Sequence, residues 1–293
     1  MSPGLLAQSL VLGILTGGMY ALMAAGLTLI FGVMRVINVA HAALIVMGAY
    51  LSLTLFLHLG IDPLLSMLLL IPVFFALGAL VQWGIVNRLA ERDITLTVLM
   101  TFGFAIILEG LQGAIWTSSY QGIKTAYSLQ SFQLFSLYVP VVRLIAAGVS
   151  LFLLAGLYAL LTFTKLGRAI RATIQNRTSA QLVGVNVRLV TTISFAIGIA
   201  IAGATGPLLG MLFTFYPATH WLWIGKLLAI VVLGGLGSLR GAFVAAMLLG
   251  IAEQVTSVTL ALGWAPMIFY AFLFGALVVR PQGLFGALER QSL

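Results

Sequence analysis

The sequence predicts an all-α polytopic membrane protein with eight to nine spanning helices, on three observations. Of its 293 residues, 62% are apolar and only 7% are charged. The mean hydropathy of +1.18 is out of reach of a soluble domain, which needs a charged surface. The apolar residues also fall in long runs near the ~20 residues a helix needs to cross hydrocarbon, and lipid admits only helices or closed barrels. One transmembrane domain over 1–293 is expected.

The first run, 5–31, begins in "MSPGLLAQSL". It lacks the positive n-region of a signal peptide and is too long for one, so it is expected to be retained as the first span. The next three runs are 36–57, 64–87 and 95–117. A polar, tyrosine-bearing stretch, "TSSYQGIKTAYSLQSFQLFSLYVP" (117–140), precedes the fifth run at 139–163. Beyond a basic connection lie 190–214, 224–238, 241–260 and 265–280. The seventh and ninth runs are short, which leaves the count at eight to nine.

Charge sets the orientation. Alternating spans place Arg35, Arg88, Arg92, Lys165, Arg168, Arg171, Arg177, Arg188, Arg240, Arg280 and Arg290 on one side, against Lys124, Arg143 and Lys226 on the other. The positive-inside rule makes the first side cytoplasmic, with the N-terminus outside and the C-terminus inside. The net charge of +8 is therefore a topology signal, and nucleic-acid binding falls away as its explanation. Cysteine is absent, which excludes disulfides, thiolate chemistry and cysteine-ligated metals.

The longest cytoplasmic connection is "TKLGRAIRATIQNRTSAQLVGVNVRLV" (164–190), with five basic residues and no acidic one. Gly167 and Gly184 bracket a segment in which Ile170, Ile174, Leu182 and Val183 recur at roughly helical spacing. One or two short amphipathic helices are expected. They either rest on anionic headgroups of membrane lipid or dock a cytoplasmic partner, with apolar residues in a groove and arginines around its rim.

The opening stretch, this connection and "AIVVLGGLGSLRGAFVAAMLLGIAE" (229–253) together resemble the permease subunits of branched-chain amino acid ABC importers, the LivH type. The matches occur in the same order and span nearly the whole chain. The resemblance implies the ABC importer permease fold, with some helices discontinuous. It also implies a homologous second permease subunit, two cytoplasmic ABC ATPases that bind ATP-Mg, a periplasmic solute-binding protein, and residence in the bacterial inner membrane. By the same resemblance 165–188 holds the coupling helix that an ATPase receives, with Gly167, Arg168, Arg171, Gln175, Asn176 and Gly184 as its residues. Relatives often carry an acid near Gln175 or Asn176. No G-x-x-x-x-G-K-[ST] phosphate loop occurs, and "GGLGSLRG" lacks the lysine and hydroxyl it would need, so no cofactor is expected in this chain.

Polar residues concentrate in "GLTLIFGVMRVINVAHAALIVMGAY" (26–50). Here Arg35, Asn38 and His41 sit between two apolar arms. On one reading the join is a tight hairpin: Gly32 lets it turn, Arg35 anchors it, Asn38 caps the next helix and His41 packs on a neighbour. On the other it lies at the translocation path, as interrupted helices do in transporters. A second interruption, with Gly234, Gly235, Gly237 and Gly241 next to Arg240, occupies a corresponding place in the second half. Both are entered from outside, so the halves suggest a crude duplication. Arg35, Asn38, His41, Gly234, Gly235 and Gly237 are the candidate pathway residues. Where relatives read N-x-A-H-G-E, this chain has Ala42 and Ala43, so a carboxylate that would meet a substrate ammonium is missing there.

Glu109 and Glu253 are the only carboxylates inside predicted spans. Each is placed in the outer half of its helix, near water or a partner such as Lys226. His58 and His220 are expected near the outer surface at no metal-ligand spacing, and Trp221, Trp223 and Trp264 as interfacial anchors. The expected function is the permease subunit of an ATP-driven importer, itself non-catalytic. It takes branched-chain amino acids, or a related small polar or organic solute, from a binding protein. The alternative is an ion-gradient-driven carrier or channel.

Overall fold

A computed structural model describes residues 3–86, 94–134, 137–260, 262–280 and 282–285. Arg88, Arg92 and Arg290 lie outside the described residues. Among the described residues eleven α-helices follow in order: α1 (Pro3–Met34), α2 (His41–Leu59), α3 (Pro63–Val81), α4 (Ile94–Trp116), α5 (Val141–Phe163), α6 (Lys165–Gln175), α7 (Arg177–Leu182), α8 (Val187–Leu212), α9 (His220–Gly234), α10 (Leu239–Thr259) and α11 (Met267–Val279). A hairpin of β1 (Ser131–Leu134) and β2 (Leu137–Pro140) lies between α4 and α5.

Among the described residues eight helices are long and apolar enough to cross a membrane, with α9 counted from Pro217. The thirteen residues of α11 reach about 20 Å at 1.5 Å per residue, short of the ~30 Å hydrocarbon thickness. The difference between eight and nine spans rests on this helix.

Local chemistry sets the helix starts. Asp62 accepts from the Leu64 N–H at 2.9 Å ahead of Pro63. Thr164, Asn176, Asn186 and Ser238 likewise accept from the backbone N–H three residues on, at 2.9–3.1 Å. Each satisfies a donor that has no partner inside its helix. At the other end of α2, Gly60 (φ 65°) closes the helix in the left-handed conformation.

Two helices form the centre. The most apolar window of α8 is 89% buried and that of α1 is 72% buried, whereas α4 reaches only 22%. In lipid no hydrophobic drive pushes helices together, so close packing depends on small residues. A Cβ at Gly250 of α10 would lie 2.7 Å from the Gly17 Cα of α1, and one at Gly48 of α2 would lie 2.8 Å from the Gly203 carbonyl of α8. These seams fix α10 on α1 and α2 on α8. The outer faces of α3, α4, α5 and α11 expose leucines, phenylalanines and valines, as a lipid-facing rim does.

The 117–140 stretch is more structured than a solvated loop. Gln121 and Phe215 exchange backbone hydrogen bonds at 2.8 and 2.9 Å, and the Ile123 N–H donates to the Gly210 carbonyl at 2.8 Å. The stretch is thereby sealed onto the C-terminal end of α8. The β1–β2 hairpin is tied to α1 by the Tyr138 N–H, which donates to Gln8 Oε1 at 2.9 Å.

Candidate functional site

Three features converge at the end of the bundle that carries α6 and α7. The first is the join of α1 and α2. Helix α1 runs to Met34, three residues beyond the expected end, and α2 starts only at His41, so the connection spans 35–40 and is wider than a tight hairpin. Arg35 has φ 56°, a left-handed conformation that stops α1 and is uncommon for a non-glycine residue. Asn38 does not cap α2, as the hairpin reading expected. The N-cap is Ala40, and Asn38 Oδ1 accepts from the Ala40 N–H at 3.2 Å, holding the turn before the helix.

The second feature is the join of α9 and α10, residues 235–238. The span begins at His220 and ends at Gly234, four residues earlier at each end than the run 224–238 implied. Gly235 (φ 99°) and Gly237 (φ 82°) need the freedom of glycine. The backbone N–H groups of Leu284 and Phe285 donate to the Leu233 and Gly234 carbonyls at 2.7 and 3.2 Å, pairing the following segment with the end of α9.

The third feature is α6. Gly167 lets it fold back on α5, where any Cβ would strike the Leu160 and Leu161 carbonyls. An Arg171 Nη1–H donates to the Leu161 carbonyl. Ile170 is fully buried, so the apolar face of α6 packs on its own bundle and is not free to enter a partner's groove. The apolar residues that do project are Leu182 (83% exposed), the last residue of α7, and Val183 (78% exposed) after it. Arg168, Gln175, Asn176, Arg177 and Gly184 are exposed beside them.

Gly32 brings the three together. A Cβ there would sit 3.4 Å from the Gly237 Cα and 3.6 Å from Ile174 Cδ1. The first join, the second join and α6 therefore meet at one point. A recess of about 340 Å³ opens beside it, lined by Arg35 on one wall and Gln175, Asn176 and Arg177 on the other.

His41 and Asn38 lie deeper, 0% and 1% exposed. The His41 Nε2–H donates to the Met23 carbonyl of α1 at 3.2 Å, and the ring fills the space beside Gly26, where a Cβ would come within 2.8 Å of Cε1. Among the described residues its Nδ1 and the Asn38 amide nitrogen have no hydrogen-bond partner. Thr101 and Gln112 of α4 brace this region: Thr101 Oγ1 accepts from the Val39 N–H at 3.2 Å, and Gln112 Nε2 donates to the Ala43 carbonyl at 3.0 Å. Sequence reasoning missed both, although each is a polar residue in an apolar run. Ala42 and Ala43 are fully buried.

The other half of the bundle holds the intramembrane acids. Glu109 Oε2 accepts from His220 Nε2 and Trp221 Nε1, both at 3.0 Å. His220, the first residue of α9, is fully buried within the bundle and reaches that carboxylate of α4. Glu253 pairs with Lys226 at 2.5 Å, the partner expected for it. Tyr20, which the sequence did not single out, donates to Glu253 Oε2 at 2.6 Å. Trp223 is buried against Tyr20 and Phe213 and is no interfacial anchor, whereas Trp221 and Trp264 are exposed. Among the described residues no three His, Cys, Asp or Glu side chains group as metal ligands.

Residues 9–279 match the family described as branched-chain amino acid transport system / permease component. The chain is 28% identical to the high-affinity branched-chain amino acid transport system permease protein LivH of Salmonella typhimurium, over 98% of this chain and 97% of that protein. It is 31% identical to the probable branched-chain amino acid transport permease protein LivH of Methanocaldococcus jannaschii, over 93% and 90%. It is 27% identical to the permease protein BraD of Pseudomonas aeruginosa, over 98% and 97%. No solved structure matches it. With eight apolar helices of spanning length and a family match across nearly its whole length, the chain is a multi-pass membrane protein that belongs to the branched-chain amino acid transport permease family.

Proposed function

We propose that this chain is the permease subunit of an ATP-driven importer in the bacterial inner membrane, taking up branched-chain amino acids. A homologous second permease subunit completes the pathway. A periplasmic solute-binding protein delivers the ligand at the hairpin end, where the N-terminus lies. Two ABC ATPases carry ATP-Mg and dock at the α6–α7 end. The concentration of basic residues at the α6–α7 end supports this orientation.

The observation that carries the proposal is the meeting of Gly32, Gly237 and Ile174. ATPase closure moves Leu182, Val183 and the exposed arginines, and with them α6. Ile174 passes that displacement to Gly32 and thence to Gly237, so both joins shift as a unit. Arg35, Gly234, Gly235 and Gly237 then act as the inner gate, and Asn38 and His41 as the buried hinge behind it. Alternation is a rocking between two packings of the same helices, biased by the partners.

Reconstitution tests this. The full complex in liposomes with ATP and loaded binding protein should accumulate leucine, while this chain alone with an ion gradient should not. Saturable accumulation by the lone chain would refute the proposal in favour of a self-sufficient carrier. His41→Ala is expected to lower ATP-driven uptake while leaving assembly intact.

A further inference from the structure

The interior of the outer half holds a charged group that neither joins nor coupling helices use. Lys226 is 5% exposed and Glu253 is 7% exposed, yet the two pair at 2.5 Å. Three aromatic rings surround the ammonium: its Nζ lies 4.9 Å from the Phe269 ring centre, 5.0 Å from Trp223 and 5.4 Å from Tyr20. The Tyr20 hydroxyl donates to Glu253 Oε2 and accepts from Lys226 Nζ at 3.4 Å. These residues come from α1, α9, α10 and α11. By helix rise, Tyr20 and Glu253 sit about 21 Å from the joins.

A buried ion pair is weak evidence of stability, since apolar residues of similar volume usually serve as well or better. Inside a membrane such residues mark sites of function. The second observation is Arg143. Its Nη1 donates to Thr16 Oγ1 at 3.3 Å, one helical turn above Tyr20 on α1. Among the described residues no carboxylate lies within ion-pair distance of it. The group thus has two cations for one carboxylate, and half-buried Arg143 stands on its side toward the hairpin end.

We propose that Arg143, Lys226 and Glu253, walled by Tyr20, Trp223 and Phe269, bind the charged end of a zwitterionic α-amino acid. The ligand carboxylate bridges Arg143 and Lys226, whose ammonium stays in the ring cage, while the ligand ammonium takes the Glu253 oxygen that Tyr20 now occupies. Charges then alternate along the row, so each gains an opposite neighbour and none is left bare in hydrocarbon. Phe213, whose ring meets Trp223 edge-on at 5.1 Å, extends the apolar wall for a branched side chain. The site supplies a carboxylate for the substrate ammonium elsewhere than at Ala43. It rests on the amino-acid reading above and adds where in the permease that ligand is recognised.

The test is binding of radiolabelled L-leucine to the assembled complex in nanodiscs without binding protein, with 4-methylpentanoate and 3-methylbutylamine as competitors carrying one charge each. Saturable binding is expected, with both competitors weaker than leucine by about tenfold or more, the worth of one charge-assisted hydrogen bond. Glu253→Gln should weaken leucine by a similar factor while leaving 4-methylpentanoate unaffected. Leucine affinity unchanged in Glu253→Gln, or single-charge analogues competing as well as leucine, overturns the site. The double variant Lys226→Met/Glu253→Leu removes the pair as a unit and guards against a folding defect. If that variant assembles and takes up leucine at the wild-type rate, the site falls and the importer reading stands. If the wild-type complex binds as described but shows no ATP-driven uptake, the importer reading falls and the site stands.

Discussion

Gly32 and Gly237 face each other across the joins, so one methyl group added from either side probes the same contact with opposite consequences. At Gly32 the new Cβ would sit 3.4 Å from Gly237 and 3.6 Å from Ile174, ordinary packing distances. The residue is helical, and alanine is a better helix former than glycine by about 1 kcal/mol, so Gly32→Ala should be neutral or slightly stabilising. At Gly237, φ is 82° and the Cβ would lie 3.1 Å from the Gly32 Cα. An L-residue there costs about 1–2 kcal/mol in backbone strain alone, and the tight contact adds to it. The two variants should therefore differ by roughly 2–3 kcal/mol, on the order of a hundredfold in the population of the closed joins. Asparagine tolerates the left-handed region better, so Gly237→Asn should fall between. The assay is thermal unfolding of the purified chain in detergent, followed by ATP-driven uptake in the reconstituted complex. Gly237→Ala matching Gly32→Ala in both measurements would refute the argument that backbone conformation at this join holds the gate.

Three further outcomes are expected. Leu182→Asp should abolish co-purification of the ATPase, more severely than Arg168→Glu, because the exposed apolar pair supplies the contact and the arginine only its rim; pull-down from detergent extracts measures both. Lys226→Met or Glu253→Leu alone should cost about 3–5 kcal/mol by stranding a buried charge, and the double variant should recover much of the loss, read as unfolding temperature. Burial pushes the Tyr127 hydroxyl in the hairpin-end stretch up to about 12, and it donates to Asp62 at 3.1 Å. Its folded value exceeds the ordinary 10, so its contribution is complete below pH 10 and is lost as pH rises from there toward 12. Limited proteolysis of 117–140 should accelerate over that range in the wild type, and the step should be absent in Tyr127→Phe.

The sequence alone determined the spans, their order and the position of the basic connection. Hydropathy is a local property, and a lipid solvent imposes its length requirement on each span separately. The helix starts were less legible: Asp62, Thr164, Asn176, Asn186 and Ser238 are the caps the structure shows, whereas the sequence reading named only Asn38, and α2 begins without it. Lys226 could be named as a partner for Glu253 because so few charges lie in the spans. Only the tertiary structure decided which face of each helix packs. In water the buried face is the apolar one and periodicity reveals it, but here both faces of a span are apolar and the pattern carries no such signal. Trp223 could thus be taken for an interfacial anchor when it walls a buried cage, and Ile170 for a docking residue when Leu182 and Val183 are the ones that project. Tyr20 reaches Glu253 across 233 positions of sequence, and Gly32 reaches Gly237 across the whole middle of the chain. Those meetings follow from close approaches between small residues on different helices, which become a pattern only after the helices have packed.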